Sequence, residues 1–211
     1  MNILDAGCGE GYLARELAAR GGLVLGVDSS QRLIEAARDL ASPGVASPIF
    51  EVQDVSDLDL KSGTFDLVVC NHLLNDLPDP TGPIGELSRV LKPGGRLAAL
   101  LLHPCFYGDR ASRSDSEHTG PGLAYFSLRE ISQQFQVDGI TSPAKVTSYH
   151  HPLEFYVRSF RDADLWLIDL QEPHPSDEQL RRDPWWQASF PRPLFLLMVA
   201  QKHGALPVSS E

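Results

Sequence analysis

The feature that most constrains this chain is a glycine loop that follows a short apolar run. The run Ile3–Ala6 has the character of a buried strand, and Gly7, Gly9 and Gly11 then occupy every second position before a helical pattern begins. Glycine permits positive φ angles and a close approach of the backbone to a ligand. The following helix points free N–H groups toward the same place. The loop therefore favours a nucleotide-like ligand, although its spacing differs from the dinucleotide fingerprint G-x-G-x-x-G and glycine turns are common without any ligand.

Apolar runs alternate with helical patterns along the first half of the chain. The alternation indicates parallel strands buried on both faces, and hence a doubly wound α/β sheet. The predicted strands are Ile3–Ala6, Leu23–Val27, Ile49–Val52, Phe65–Cys70 and Leu97–Leu102. The predicted helices are Tyr12–Arg20, a second helix capped by Ser30 with Leu33, Ala36, Ala37 and Leu40 on its apolar face, and a third that opens at Asp79-Pro80 and ends at Pro93-Gly94-Gly95.

The alternation stops after Leu102, and the second half is organised differently. Its predicted elements are a polar loop over 106–122, an antiparallel pair of Phe135–Val137 with Lys145–Tyr149, a helix over Pro152–Asp162, and closing strands Leu165–Leu170 and Leu194–Ala200. The segment Gln171–Arg192 is too long for a bare connection, so we expect it to be functional or interactive. The chain is predicted to be one domain, 1–211, with a cofactor half over 1–105 and a small cap inserted after strand five, at about 106–151.

Composition narrows the expected partners and location. The 211 residues carry a formal net charge of -10, which disfavours a nucleic-acid partner. The longest apolar run, Leu194–Ala200, is far shorter than the ~20 residues that span a bilayer, so no membrane partner is expected. The three cysteines have no paired spacing and no tight metal-ligand spacing, which predicts a cytoplasmic protein without a metal site.

Carboxylates stand at the ends of three successive predicted strands. Asp5 lies in the first, and Asp28 and Asp54 follow the second and third. Carboxylates placed after the glycine turn commonly meet ribose hydroxyls. Each one alone could instead cap a helix. Their combination at the edge that carries the glycine loop favours a ligand site.

Four segments together resemble the class I S-adenosylmethionine-dependent methyltransferases. They are Asp5-Ala6-Gly7-Cys8-Gly9-Glu10-Gly11, Asp28, Gln53-Asp54-Val55 and Leu91-Lys92-Pro93-Gly94-Gly95. The resemblance covers about residues 3–103 and implies a Rossmann-like seven-stranded sheet whose last strand is antiparallel. It also implies S-adenosylmethionine as cofactor. That molecule carries a sulfonium and an ammonium and no phosphate, which suits an acidic site.

The resemblance also implies a role for each matching position. Asp5 and the loop would hold the methionine end of the cofactor, Asp28 would take the ribose hydroxyls, and Asp54 with the Val55 backbone would face the adenine. The full implied cofactor set is Asp5, Gly7, Cys8, Gly9, Asp28, Ser29, Asp54, Val55, Asn71 and Leu73. Family members usually carry one or two helices before the first strand, which here begins at residue 3. This predicts a trimmed chain, an open site or cover from a partner molecule.

Residues on the substrate side are predicted from their position alone. Methyl transfer from a sulfonium is an in-line displacement, and it needs a general base only when the acceptor must lose a proton. His103 and His150 are the candidate catalytic residues, and Tyr107, Tyr149 and His151 are the candidate substrate contacts. His72, which follows Asn71 after strand four, is a further candidate base. Structural hydrogen bonding or ordinary packing is the alternative for each. Trp185-Trp186 is predicted to be a lid, a homodimer contact or an anchor of its loop.

These observations predict transfer of a methyl group from S-adenosylmethionine to a hydroxyl or amine of a small molecule. The looser similarity of Leu102–Phe106, Tyr149–Leu153, Gln171–Pro173 and Pro193–Leu196 to some small-molecule methyltransferases points the same way. A non-catalytic binding or scaffold protein is the first alternative. A macromolecular methyltransferase is the second, disfavoured because Asn71-His72-Leu73-Leu74 lacks the Asn-Pro-Pro-aromatic signature. A nicotinamide oxidoreductase is disfavoured by the glycine spacing.

Overall fold

The computed structural model describes residues 1–41, 47–107, 124–134, 136–137, 140–141 and 144–204. The strands are β1 Asn2–Ala6, β2 Leu23–Asp28, β3 Ile49–Val52, β4 Phe65–Asn71, β5 Leu91–Leu102, β6 Arg129–Gln133, β7 Gln136–Val137, β8 Ile140–Thr141, β9 Val146–His150, β10 Leu165–Gln171 and β11 Phe195–Lys202. The helices are α1 Tyr12–Ala19, α2 Gln31–Leu40, α3 Leu73–Asp76, α4 Thr81–Val90, α5 Leu153–Asp162, α6 Asp177–Arg182 and α7 Pro184–Ser189, with a 3₁₀ turn at Ala124–Phe126.

Seven strands form one sheet in the order β10-β11-β5-β4-β1-β2-β3. Neighbours among β1 to β5 pair in parallel, whereas β11 is antiparallel to both β5 and β10. The predicted doubly wound sheet with an antiparallel last strand is confirmed. Strand order reverses between β1 and β4, and ligands of such sheets bind at the carboxyl edge beside this reversal. Within the described part of the chain, no helix is both long and apolar enough to cross a membrane.

Helices cover both faces of the sheet, which explains why its strands are continuously apolar. One buried cluster includes Ile3 of β1, Ala14 of α1 and Ile34 of α2. The other includes Leu4 of β1 and Tyr156 of α5, on the opposite face. Adjacent residues of β1 thus enter different cores, as the alternation of side chains along a strand requires.

Helix α2 corrects the predicted apolar face. The Ser30 hydroxyl accepts a hydrogen bond from the Leu33 amide at 3.4 Å, so the predicted cap forms. The buried residues, however, are Ile34 and Ala37, whereas Leu33 and Leu40 are exposed. Residues 33 and 40 lie seven apart and share a second stripe of the helix. Periodicity alone gave no means to choose between the two stripes.

Helix α4 and strand β5 meet earlier than predicted. The helix ends at Val90 and β5 starts at Leu91, so Pro93-Gly94-Gly95 lies inside the strand. The pairing of β4 with β5 shifts register between Phe65 and Leu67, which accommodates this turn-like segment within the ladder. At the other end of α4, the Asp79 carboxylate accepts from the Thr81 amide at 3.0 Å, and the helix begins at Thr81.

The inserted cap pairs its strands differently from the prediction. Strand β9 pairs antiparallel with β6, which had not been predicted as a strand. The short strands β7 and β8, which flank Asp138-Gly139, pair with each other instead. A turn signal fixes only its nearest residues, and the partner of β9 comes from farther along the chain. The predicted polar loop lies largely outside the described residues.

Candidate functional site

The glycine loop at the end of β1 leaves open space at one position and is closely packed at another. A Cβ at Gly11 would lie 2.5 Å from Phe50 Cζ, so that glycine is required for packing as well as for its φ of 80°. A Cβ at Gly9, with φ 55°, would meet nothing within 4 Å. The backbone at Gly9 therefore borders free volume, which is what close contact between a ligand and the backbone requires.

Asp28 faces this loop from the end of β2. One carboxylate oxygen accepts from the Gly9 amide at 2.9 Å, and the other accepts from the Ser30 amide at 2.9 Å. The carboxylate thus ties the loop to the edge of the sheet.

Cys8, in the glycine loop, is a protonated thiol. Burial, followed by the charges of Asp5 and Asp28, raises the pKa of the Cys8 thiol to about 12. The thiol is therefore protonated at neutral pH.

Asp5 is a buried carboxylate whose hydrogen bonding is incomplete. Its side chain is 1% exposed, and Oδ2 has no hydrogen-bond partner among the described residues. Burial raises the pKa of Asp5 to about 7, the amide of Ala14 opposes the rise, and the charge of Asp28 adds to it. Unpaired buried carboxylate oxygens are costly. A cationic ligand group at this edge would supply the missing partner.

The remaining predicted cofactor residues lie along the same edge. Asp54 is exposed and accepts from the Ser56 amide at 2.8 Å, and the side chain of Val55 is buried in the core. Ser29 is exposed beside Asp28, and Asn71 is exposed at the end of β4. Leu73 packs against the loop, because a Cβ at Gly7 would lie 2.8 Å from Leu73 Cδ1. Their cofactor roles stay predictions.

A cavity of about 490 Å³ lies at this edge of the sheet, between the sheet and the cap. Its described lining includes five polar side chains and an apolar remainder without lysine or arginine. The polar residues are His72, Asp76, Tyr107, Gln133 and Ser148, and the others are Leu102, Val146, Trp185, Phe190, Leu194 and Phe195. An apolar pocket with a few convergent polar groups is typical of a small-molecule site.

One packing contact and one electrostatic interaction indicate that the cavity adjoins the glycine loop. His72 lines the cavity, and the next residue, Leu73, packs on Gly7. Asp76 also lines the cavity, and its pKa is raised by burial and then by the charge of Asp28. The cavity therefore lies beside the glycine loop.

Neither predicted catalytic histidine is among the described residues that line the cavity. His103 is buried, and its Nδ1 accepts from the Cys105 amide at 3.1 Å while Nε2 lies 3.0 Å from Glu172 Oε1. Both nitrogens are engaged, which is typical of a structural histidine. Burial lowers the pKa of His103, and Glu172 opposes this. A role of His103 as a base stays a prediction that this geometry disfavours.

His150 stands behind the cavity wall. Its Nε2 lies 3.0 Å from Ser148 Oγ, and its ring stacks on Tyr107 with centroids 5.5 Å apart. Burial, followed by the charges of Arg129 and His151, lowers the pKa of His150 to about 4. His150 thus supports two cavity residues, and its own catalytic role stays a prediction.

Of the three predicted substrate contacts, one lines the cavity and two do not. Tyr107 lines the cavity, and its hydroxyl accepts from Gln133 Nε2 at 2.6 Å. His151 instead stacks on Phe155 at 3.8 Å between centroids, and the Tyr149 carbonyl accepts from the Asn75 side chain. The structure does not bring Tyr149 or His151 to the described cavity lining.

Sequence reasoning missed several lining residues. Asp76 lies in the short helix after β4, and its position after a central strand was an available signal, as it was for His72, which the sequence did offer as a candidate base. Gln133 and Ser148 reach the cavity only through the pairing of β6 with β9, which no local pattern indicated. Trp185, by contrast, lies in the long segment predicted to be functional, and it lines the cavity.

Comparisons with known proteins agree with this geometry. Residues 4–99 match the family model of a methyltransferase domain. A curated relative, the ubiquinone biosynthesis O-methyltransferase of Coxiella burnetii, is 38% identical over 96 residues, which cover 46% of this chain and 41% of that protein. The chain thus matches about two fifths of that relative's length.

Solved structures extend the likeness in fold to nearly the whole chain. An S-adenosylmethionine-dependent methyltransferase from Mesorhizobium loti superposes with a TM-score of 0.72 at 21% identity, covering 95% of this chain and 90% of that one. A second, from Methanosarcina mazei, gives 0.71 at 24% identity, covering 96% and 92%. Identity at this level shows a shared fold. The family match over residues 4–99 agrees with the resemblance inferred from the sequence, and the solved structures share the predicted fold.

Proposed function

We propose that this chain, whose residues 4–99 match the family model of a methyltransferase domain, is a class I S-adenosylmethionine-dependent methyltransferase that methylates a hydroxyl or amine of a small molecule. The observation that carries the proposal is the junction of two half-sites. The glycine loop with Asp5 and Asp28 lies on one side, and the cavity of about 490 Å³ lies on the other. The relative's name, which specifies an O-methyltransferase of ubiquinone biosynthesis, favours a hydroxyl as the acceptor.

The residues at the loop fit the cofactor. Asp5 Oδ2, buried and unpartnered, suits the ammonium of the methionine end. The open volume at Gly9 gives room for the backbone to approach a ligand, and Asp28 stands where ribose hydroxyls would meet a carboxylate. S-adenosylmethionine supplies, when bound, a methyl group already activated on a sulfonium.

The cavity residues would hold the acceptor and exclude water. Holding the nucleophile on the axis of displacement supplies most of the acceleration in such a transfer. Aromatic side chains of Tyr107, Trp185, Phe190 and Phe195 would pack on an apolar acceptor. The described lining carries a carboxylate, Asp76, and no lysine or arginine, which favours an acceptor without negative charge.

Calorimetric titration with S-adenosylmethionine, followed by assay of S-adenosylhomocysteine formation with a panel of small phenols and amines, tests the proposal. We expect saturable binding and formation of S-adenosylhomocysteine with at least one acceptor. Binding without transfer to any acceptor would support the alternative of a scaffold protein. Absence of binding would contradict the proposed function.

Replacing Trp185 with alanine should raise KM for the acceptor about tenfold, because loss of an aromatic contact and its buried area costs on the order of 1–2 kcal/mol. Cofactor affinity should change less than twofold. Trp166→Ala is a matched control, since Trp185 is 56% exposed and Trp166, on the edge strand β10, is 57% exposed. Equal effects of the two substitutions on KM would refute a role for Trp185 at the acceptor.

A further inference from the structure

His72 has a positive φ, which is uncommon among non-glycine residues. Its φ is 63°, and it stands at the N-terminal boundary of α3. The other described non-glycine residue with positive φ is Asp164, which follows α5 at a position where a left-handed residue is usual. No comparable capping rule accounts for His72. Strained residues of this kind cluster at functional sites, where the surroundings hold them.

The ring of His72 lines the cavity, and its Nδ1 is buried without a hydrogen-bond partner among the described residues. The ring packs beside Phe195, with centroids 5.4 Å apart. Burial lowers the pKa of His72, so the ring is neutral at pH 7 and carries a lone pair. His103 differs because both of its nitrogens are occupied.

The position of His72 relative to the loop is fixed by its neighbours. The His72 amide donates to the Leu100 carbonyl at 2.9 Å, which anchors the residue to β5. The following residue, Leu73, packs on Gly7. His72 is therefore held between the glycine loop and the acceptor cavity, which is where a methyl group would be transferred.

We infer that His72 is a catalytic residue, the base that takes the proton from the hydroxyl of an uncharged phenol bound in the cavity. This inference rests on the proposed function. The acceptor oxygen forms a bond to the methyl carbon as the carbon–sulfur bond breaks, and that electron pair stays on sulfur in S-adenosylhomocysteine. The hydroxyl proton goes to the neutral ring of His72 and from there to solvent. The aromatic walls and the absence of lysine and arginine from the described lining suit a flat, uncharged acceptor.

Two other titratable groups share the described lining. Asp76, on α3, also lines the cavity, and Tyr107 faces it from the segment after β5. Asp28 acts from the end of β2 through its charge on Asp76. A proton acceptor with a pKa below the ordinary histidine value predicts that kcat/KM falls only on the acid side, below about pH 6.5.

The test uses His72→Asn, because asparagine tolerates positive φ better than most residues, and His72→Gly as a second variant. Wild type and variants are compared for turnover of phenol, 2-methoxyphenol and 1-naphthol, for S-adenosylmethionine affinity by calorimetry and for thermal unfolding. His174→Asn, at an exposed histidine, is the matched control. We expect kcat to fall at least about 100-fold in both His72 variants, with cofactor affinity within twofold and the acid limb of the pH profile lost.

A readout independent of turnover is the NMR signal of the His72 ring, assigned by its loss in His72→Asn. We expect 1-naphthol, added with S-adenosylhomocysteine, to shift this signal. The inference is overturned if His72→Asn keeps kcat within threefold, if the acid limb persists in it and vanishes only in Asp76→Asn, or if the ring signal does not move. It is also overturned if wild type binds S-adenosylmethionine and methylates amines but no phenol. Absence of cofactor binding by wild type would instead defeat the proposed function itself.

Discussion

Replacing Asp28 with alanine should weaken S-adenosylmethionine binding about 5- to 150-fold, which corresponds to about 1–3 kcal/mol. Two losses combine in this variant. The ribose hydroxyls lose a charged acceptor, and the Gly9 and Ser30 amides lose the oxygens that now accept their hydrogen bonds at 2.9 Å. Charge-assisted hydrogen bonds of this kind are stronger than neutral ones. Calorimetric titration of wild type and variant measures the change directly.

Asp39→Ala provides the matched control for Asp28→Ala. Asp39 is exposed on α2, so its removal changes the net charge equally without touching the loop. The cofactor affinity of Asp28→Asn should fall between those of wild type and Asp28→Ala. The asparagine side chain keeps one acceptor oxygen, but it turns its NH₂ donor toward one of the two backbone amides. Equal cofactor affinities of wild type and Asp28→Ala would show that the carboxylate only holds the loop and does not bind the ribose.

Replacing Asp5 with asparagine should stabilise the ligand-free protein at pH 8 by about 4 kcal/mol and should weaken cofactor binding. Burial raises the folded-state pKa of Asp5 from 3.8 to about 7. Between these values the folded state holds a proton that the unfolded state has released. The contribution of Asp5 to folding stability therefore falls as pH rises from about 4 to 7, by on the order of 4 kcal/mol at 1.36 kcal/mol per pKa unit. Asparagine cannot ionise, so this contribution disappears.

Urea unfolding at pH 5 and pH 8 tests the prediction as a difference of differences. Between pH 5 and pH 8, the free energy of unfolding should decrease more in wild type than in Asp5→Asn. The difference between the two decreases is the contribution of Asp5, because the other titrating groups are common to both proteins. Asp39→Asn, at an exposed site, should retain the wild-type slope. An Asp5→Asn variant with the wild-type slope would contradict the account of Asp5 as a buried, uncompensated carboxylate. Its weakened cofactor affinity would show that the destabilising group is retained for binding.

The cofactor half could be predicted because its signals are local. The glycine loop, Asp28 and the apolar strands each lie within a few residues of the turn or strand end that they define, and parallel strands bring these ends to one edge. Even there, α2 shows the limit. Ile34 and Leu33 are adjacent and both apolar, and only packing against the sheet decides that Ile34 is buried.

The acceptor half could not be predicted to the same depth, because its residues meet through long-range pairing. Gln133 and Ser148 reach the cavity through the pairing of β6 with β9, and Trp185 arrives from a helix almost forty residues farther on. Position along the chain favoured His103, yet the structure engages both of its nitrogens and leaves His72 at the cavity. Side-chain partners are a property of packing that a single sequence does not contain.

The central claim is that the loop with Asp5 and Asp28 binds S-adenosylmethionine beside the acceptor cavity. A crystal structure with S-adenosylhomocysteine tests it most directly. We expect both ribose hydroxyls within hydrogen-bond distance of the Asp28 carboxylate, the amino group near Asp5, and the sulfur facing the cavity at His72. A ribose bound away from Asp28, or a sulfur directed away from that cavity, would contradict the account.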